Sequence, residues 1–499
     1  MATHDGVLLL LMLPLLSLVL VWFILGNGRQ KHHKLPPGPP GLPLIGNLHQ
    51  LGQNPHRTLW ELSKQYGPLM RLRLGNKPCV VVSSAQMAEA VMKTHDLKFC
   101  SRPLFTSWKR LTHDFNDVAF SPYSETWREL RKVIVLGFLS TRRVEGFQSA
   151  REEEVERMIG FISSQASLSK PINLSKLLTS LANEVTWGRR ERPEENKFYR
   201  ITKETQALLV ATFMADYFPC AGWLDVLAGR RARLEKNFAE FDAFFREVIK
   251  AHSTDPSERP PQGDHEEDIT DMLLRLQRED AHITEKHVKG LLFDIILGGT
   301  DTSSATLEYA MAELMRNPNA MSKAQDEVRG VVGNKGKVED GDIARLSYLR
   351  CVVKETLRLH PVVPLLVHRE TMGHTNINGY DVPPKTQVLV NAWAIGREMA
   401  FWEKPEAFIP ERFIGSKVDF KGHDFQFIPF GAGRRICPGI TFGVMLVELA
   451  LANLLYAFNW EVMEEQVRRG EIDMAEGTGV TTHLKNNLHL KATRYSHRV

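Results

Sequence analysis

Residues 430–439 read FGAGRRICPG. Three glycines, a proline and two arginines surround one cysteine, Cys437. Glycine permits positive φ and close backbone approach, so the stretch reads as a tight turn. Pro438-Gly439 leads into ITFGVMLVELALANLLYAF, which is apolar nearly all round and therefore a buried helix. Cys437 then stands just before a buried helix N-terminus. The dipole and free N–H groups there favour an anion, so the thiol pKa is expected to fall. Backbone N–H groups of the turn are placed to hydrogen-bond the sulfur and tune a bound metal.

The chemistry open to such a thiolate is limited. It cannot close a zinc site alone, because zinc wants four ligands. It suffices as the single axial ligand of a heme iron, since the porphyrin supplies the other four positions. The nearby arginines suit propionate carboxylates through charge-assisted pairing. A dinucleotide-binding loop would need a third glycine in register after Gly431 and Gly433, and none follows. A nucleophilic cysteine needs a base partner, which no local motif supplies. A structural cysteine explains neither the glycines nor the arginines.

A second unusual stretch lies upstream. Thr284 is a plausible N-cap and Asn317-Pro318 ends the run, so 285–316 reads as one helix of about 45 Å. Its middle, Gly298-Gly299-Thr300-Asp301-Thr302-Ser303, sets two glycines among polar residues inside an apolar stretch. Each glycine costs about 1 kcal/mol against alanine. One reading is a kink or a close helix crossing. The other is a backbone stripped so that a ligand can approach, with hydroxyls and a carboxylate ready to handle protons.

The chain has 499 residues, 43% of them hydrophobic, enough for a large core. No composition break divides it after residue 50, and the polar stretch 253–268 reads as one exposed loop, so one large domain is expected. A net charge of +4 is too slight to argue for nucleic acid. Five cysteines without CxxC or zinc spacing point to a reduced compartment. Helical patterns at 151–167, 232–252, 319–332 and 346–359 outnumber strand patterns at LMRLRLG, CVVVSS and QVLVNAW (387–393). The fold class is mainly α with a small β part.

Val7 to Leu25 is a run of 19 residues without a charge, spanning about 28 Å as a helix. Arg29, Lys31 and Lys34 follow it. A cleaved signal peptide would carry its basic flank first and a small-residue site after, so a transmembrane signal anchor (1–28) is the reading. The positive flank keeps the bulk of the chain cytosolic. Asn173-Leu174-Ser175 then stays unmodified. The basic, proline-rich segment 29–47 reads as a stiff hinge whose Leu42, Leu44 and Ile45 dock on the domain, 48–499.

Taken together, the motifs resemble those of the cytochrome P450 family of heme-thiolate monooxygenases. The resemblance covers essentially the whole chain and is strongest to the plant microsomal A-type enzymes of family seventy-one. The heme-loop pattern F-x-x-G-x-R-x-C-x-G matches at Phe430, Gly433, Arg435, Cys437 and Gly439. The oxygen-binding pattern matches at Gly298, Gly299, Asp301, Thr302 and Ser303. Glu355 and Arg358 match E-x-x-R, Pro410 to Phe413 match PERF, and Trp127 and Arg131 match W-x-x-x-R. Relatives usually carry a longer stretch where this chain reads NEVTWGRRER (183–192).

The resemblance implies a single large P450 fold with heme b on Cys437. It implies that Arg435, Arg131, Trp127 and His368 hold the propionates and that Phe430 shields the sulfur. Glu355, Arg358 and Arg412 would form a buried structural triad. Asp301 and Thr302 would relay protons during oxygen activation. Electrons would come from NADPH through a membrane-bound reductase, met by Arg128, Lys132 and Arg434. The enzyme would sit in the endoplasmic reticulum membrane, pass through it once and use O2. The pocket would be lined from 105–116, 208–213, 291–299, 362–367 and 477–481, largely apolar segments suited to a hydrophobic alkaloid, terpenoid or phenolic. Hydroxylation is the default. Oxidative coupling, ring rearrangement and oxime formation are alternatives. A non-oxygenating isomerase or dehydratase, or a heme sensor, is the reading from another class, and the intact Asp301-Thr302 pair argues against it.

Overall fold

The apolar helix after the cysteine loop needs apolar neighbours on every side, and the fold is built around that demand. The computed structural model describes residues 34–187, 195–253, 269–463, 472–477 and 479–496. The expected anchor at 7–25, the hinge before residue 34, the loop 254–268 and part of the divergent stretch at 183–192 lie outside the described residues.

In chain order the principal helices are α1 (Pro55–Tyr66), α2 (Glu125–Lys132), α3 (Gln148–Ser167), α4 (Leu174–Trp187), α5 (Glu195–Leu209), α6 (Arg230–Ser253), α7 (Glu285–Ile296), α8 (Thr302–Arg316), α9 (Pro318–Val332), α10 (Ser347–Leu359) and α11 (Ile440–Ala457). The strands of the two larger sheets are β1 (Leu69–Leu74), β2 (Lys77–Val82), β3 (Ile172–Asn173), β4 (Arg369–Glu370), β5 (Gln387–Val390), β6 (Phe458–Val462) and β7 (His489–Arg494). Helix dominates, as expected. α11 is enclosed by α3, α8, α9 and α10. Leu449, Leu451, Leu454 and Leu455 are all fully buried on it, each contributing about 1.5–3 kcal/mol of transfer free energy. Among the described residues it is the single helix long and apolar enough to span a bilayer, but 67% of it is buried inside the protein, which makes it a core helix.

β1 and β2 pair antiparallel around Gly75-Asn76, β2 pairs parallel with β5, and β4 closes the sheet in the order β1-β2-β5-β4. A second sheet has the order β3-β7-β6. The expected strand at 387–393 ends at Val390, because the Asn391 side chain accepts the Ala394 N–H and caps a helical turn, Ala392–Ile395. Segment 35–47 docks on β1 through its backbone: Arg71 N donates to Pro37 O at 2.7 Å and Asn47 N to Arg73 O at 2.6 Å. Its apolar side chains do not dock as expected. Leu42, Leu44 and Ile45 are exposed, because they lie on a tight turn closed by Leu42 and Gly46, which exchange backbone hydrogen bonds at 3.0 Å.

The helix expected at 285–316 forms with Thr284 as its cap, in a capping box with His287. It is not one regular helix. A π-turn, Leu297–Asp301, separates α7 from α8. Such a turn inserts a residue and turns neighbouring carbonyls aside, and it falls on the glycine and hydroxyl stretch.

Candidate functional site

The cysteine loop is closed by its own backbone. Cys437 N donates to Phe430 O at 3.0 Å and Ile436 N to Gly433 O at 3.0 Å. Gly433 has φ +68, and a Cβ there would fall 2.2 Å from Met92 O. No side chain fits without moving backbone. Asp96 pins the same turn, accepting from Arg434 N and Arg434 Nη1 at 3.0 Å each. A G433A variant is therefore expected to lose about 1–3 kcal/mol from backbone strain alone, with the Met92 clash adding to it. Thermal unfolding of the holoprotein, compared with wild type, measures the loss.

The thiol pKa does not fall as expected. Burial pushes the Cys437 thiol up, against the opposing pull of the Gly439 N–H and the Arg131 guanidinium. The helix-terminal field is present, but in a dry site the cost of an isolated anion exceeds it. A thiol so placed ionises when a cation binds it.

Trp127 and Arg131 come from α2, whose cap Ser124 accepts the Trp127 N–H at 3.1 Å. Their spacing sets both on one helix face. Arg435 lies 4.0 Å from the Trp127 ring and Arg131 lies 5.6 Å from it. Arg435 donates to Cys100 O at 2.7 Å, Val118 O at 3.2 Å and Ser121 O at 2.8 Å. Arg131 donates to Ile436 O at 2.6 Å. The structure thus gathers three of the expected residues beside the cysteine loop. Sequence reasoning missed a further cation, buried Arg102, which donates to Ala119 O, Val367 O and His368 O. No local motif marks it.

This cluster carries an excess of buried positive charge. Burial, with Arg369 and Arg131 near, pushes Arg435 down to about 9. Burial and the neighbouring guanidiniums also lower Arg102. The adjacent carboxyls balance it only in part: burial pushes Asp117 up to about 6 and raises its neighbour Asp294 well above the usual carboxylate range. His368 sits between Phe105 and Trp108, and burial with Arg102 pushes it down to about 4, so it is neutral. Its buried Nδ1 has no partner among the described residues. One sulfur, a cluster of underneutralised guanidiniums and an orphaned imidazole nitrogen fit a metal macrocycle that bears carboxylates.

The two glycines of the π-turn serve different ends. A Cβ on Gly299 would meet Thr186 of α4 at 3.0 Å, so this glycine lets two helices approach. A Cβ on Gly298 would meet nothing within 4 Å, so this one faces open space. The close-crossing reading holds at Gly299, while Gly298 leaves its side of the turn uncovered. Thr302 Oγ1 donates to Gly298 O at 2.6 Å. Asp301 is held on both oxygens, Oδ2 by Gln206 Nε2 at 2.6 Å and Oδ1 by His483 Nε2 at 2.9 Å. Near the start of α11, Gly443 approaches Ser303 Oγ, which sets this turn against the helix that presents Cys437. Phe105, Trp108, Leu209, Phe213 and Leu297 pack in one cluster with Val367 and Val480. Residue 478 of the expected 477–481 lining lies outside the described residues.

The expected triad is present and dry. Glu355 and Arg358 are fully buried and doubly bonded at 2.8 Å, and Arg412 Nε reaches Glu355 Oε1 at 3.0 Å. Of the expected basic face, Arg128 pairs with Glu125 at 2.8 Å and Arg434 with Asp96 at 3.0 Å, while Lys132 is exposed.

A family model described as Cytochrome P450 matches residues 36–489. Cytochrome P450 71A1 of Persea americana is 49% identical over 460 residues, covering 90% of this chain and 91% of that protein. Strychnine-11-hydroxylase of Strychnos nux-vomica is 44% identical over 507 aligned residues, 98% of each chain. A solved zebra fish cytochrome P450 with abiraterone matches with TM-score 0.74 at 25% identity, covering 89% of this chain and 100% of that one.

Proposed function

The chain belongs to the cytochrome P450 family, and from that premise we propose that it is an NADPH- and O2-dependent enzyme hydroxylating a hydrophobic plant specialised metabolite, such as an alkaloid, terpenoid or phenolic. Membership makes it a monooxygenase similar to the plant enzymes of family seventy-one. It uses heme b held by a cysteine thiolate, electrons from a redox-partner reductase, dioxygen and a small-molecule substrate. The observation that supports the finer reading is the apolar cluster in which Leu297 of the π-turn packs with Phe105, Trp108, Leu209 and Phe213. Strychnine-11-hydroxylase, by its name, acts on a molecule of that class.

Heme b, when bound, supplies the iron that activates dioxygen, with one oxygen atom entering the substrate and the other leaving as water. The protein's own groups do the rest. Cys437 Sγ binds the iron, and the Gly439 N–H stabilises the anionic sulfur. Phe430, packed edge-on against Phe420 at 5.3 Å, shields the sulfur side. Arg435, Arg131 and Trp127 hold the propionates, joined by the neutral His368 as a hydrogen-bond partner. The apolar cluster orients the substrate and excludes water. The Thr302 hydroxyl and the Asp301 carboxylate hold and pass protons at the open face of the π-turn. Val7–Leu25 anchors the chain in the endoplasmic reticulum membrane with the catalytic domain cytosolic, supported by the uncharged run and the basic residues after it.

Microsomes containing the protein, NADPH–cytochrome P450 reductase and NADPH, offered candidate metabolites, test the proposal by mass spectrometry. A product heavier by one oxygen atom, labelled when labelled dioxygen is used, is expected. Oxidative coupling, ring rearrangement or oxime formation would appear in the same assay as other mass changes. Conversion without NADPH would overturn the proposal in favour of a non-oxygenating enzyme.

A further inference from the structure

Asp301 has no free oxygen. Gln206 of α5 holds Oδ2, and His483, on the loop that leads into β7, holds Oδ1. The other ring nitrogen of His483 stands 3.8 Å from Glu308 Oε2 of α8. Glu308 is buried and itself occupied: Oε2 accepts the Leu484 N–H at 3.0 Å, and Oε1 accepts the Ser175 hydroxyl of α4 in a short hydrogen bond. Two carboxylates, one from the π-turn and one from α8, therefore flank one imidazole. The charged groups that face the ring are Asp301 and Glu308. Gln206 and Ser175, from the other two elements packed there, are neutral.

Two buried carboxylates side by side repel each other and lack solvation unless a cation lies between them. Burial alone would push His483 down, but Asp301, and after it Glu308, more than reverse this and push it up to about 10. The side chain is 32% exposed, so solvent screens part of that pull. At neutral pH the ring is an imidazolium.

We propose that His483 is a positioning residue for oxygen activation: set between Asp301 and Glu308 it holds Asp301 Oδ1 and, with Gln206 on Oδ2, fixes the direction in which that carboxylate meets the Thr302 turn. This rests on the reading of Asp301 as the acid of the proton relay. His483 keeps its own proton throughout, so only hydrogen bonds are exchanged and nothing is oxidised or reduced at this residue. The signal in the sequence was slight. A histidine just beyond a cavity-lining stretch has no motif, and its partner lies 182 positions away.

The test uses the heme-loaded enzyme with reductase, NADPH and dioxygen, without added substrate. The fraction of NADPH electrons recovered as hydrogen peroxide reads how well protons are supplied. H483Q keeps a hydrogen-bond donor but removes the charge. It is expected to change the peroxide fraction several-fold, in the same direction as D301N, while keeping the wild-type reduced-CO spectrum. A purely structural ion pair would lower stability and leave the peroxide fraction alone, and that result overturns the proposal. Loss of the reduced-CO band in the wild type would instead overturn the heme-thiolate reading.

The pH dependence supplies a readout that needs no turnover. The folded pKa of His483 is raised above its ordinary 6.5, so its stabilising contribution is full below pH 6.5 and lost as pH rises towards about 10. The difference in thermal midpoint between wild type and H483Q should shrink over that window. If H483Q does not accumulate, wild type decides alone. Its peroxide fraction should drift as pH rises towards about 10, and a profile flat through that range overturns the proposal.

Discussion

A C437A variant is expected to fold and yet lose the reduced-CO absorption of a thiolate-ligated heme, with monooxygenase turnover down by at least about 10²-fold. That floor follows from metal sites in general, where losing a mere outer-shell partner already costs 10–100-fold. The variant removes the one sulfur at the site. The turn around it stays intact, because the Gly431 and Gly433 backbone, the Phe430 carbonyl and the Asp96 side chain hold it without using the Cys437 thiol. Circular dichroism should therefore be unchanged while the optical spectrum changes. A retained thiolate band would mean that another sulfur is the ligand. The remaining cysteines lie outside the cysteine loop: Cys79 is in β2, Cys351 on α10, Cys220 is exposed, and Cys100 is the residue that offers Arg435 its carbonyl.

The largest effect on stability is expected at Glu355. Its Oε1 accepts from Arg358 Nη2, Ile409 N and Arg412 Nε, and its Oε2 from Arg358 Nε. Arg358 uses its remaining N–H groups on Gly396 O at 2.6 Å, Pro405 O at 2.8 Å and Ala407 O at 3.1 Å. One carboxylate thus ties α10 to the segment that leads towards the cysteine loop. E355A leaves a guanidinium buried without its counter-charge, which costs about 3–5 kcal/mol. Total stability of a domain is about 5–15 kcal/mol, so the variant should accumulate poorly and retain little heme. Thermal unfolding of whatever folds, and the heme-to-protein ratio after purification, measure it. A midpoint within a degree or two of wild type would show that the pair contributes nothing net.

What the sequence made legible was whatever is local. FGAGRRICPG, KETLRLHP and GGTDTS are contiguous, and spacing within one turn or helix fixes which groups share a face. Arg102, Gln206 and His483 were not legible, because each acquires its role from a partner far along the chain. The π-turn was hidden for another reason: Gly298 and Gly299 signal a weakened helix but not which way it yields. The Cys437 thiol was misread because dipole and burial oppose each other, and only depth decides between them. Leu42, Leu44 and Ile45 were misread because apolar side chains need not be inside.

The three carbonyls that Arg435 engages belong to Cys100, Val118 and Ser121. They bracket Phe105, Trp108 and Leu111, which help to form the apolar cluster. One guanidinium therefore joins the cysteine loop to both ends of an apolar segment. Thermodynamic linkage then makes occupancy of the two sites interdependent: a molecule that reshapes 103–117 alters the hold on the prosthetic group, and retention of that group alters affinity for the molecule by the same factor.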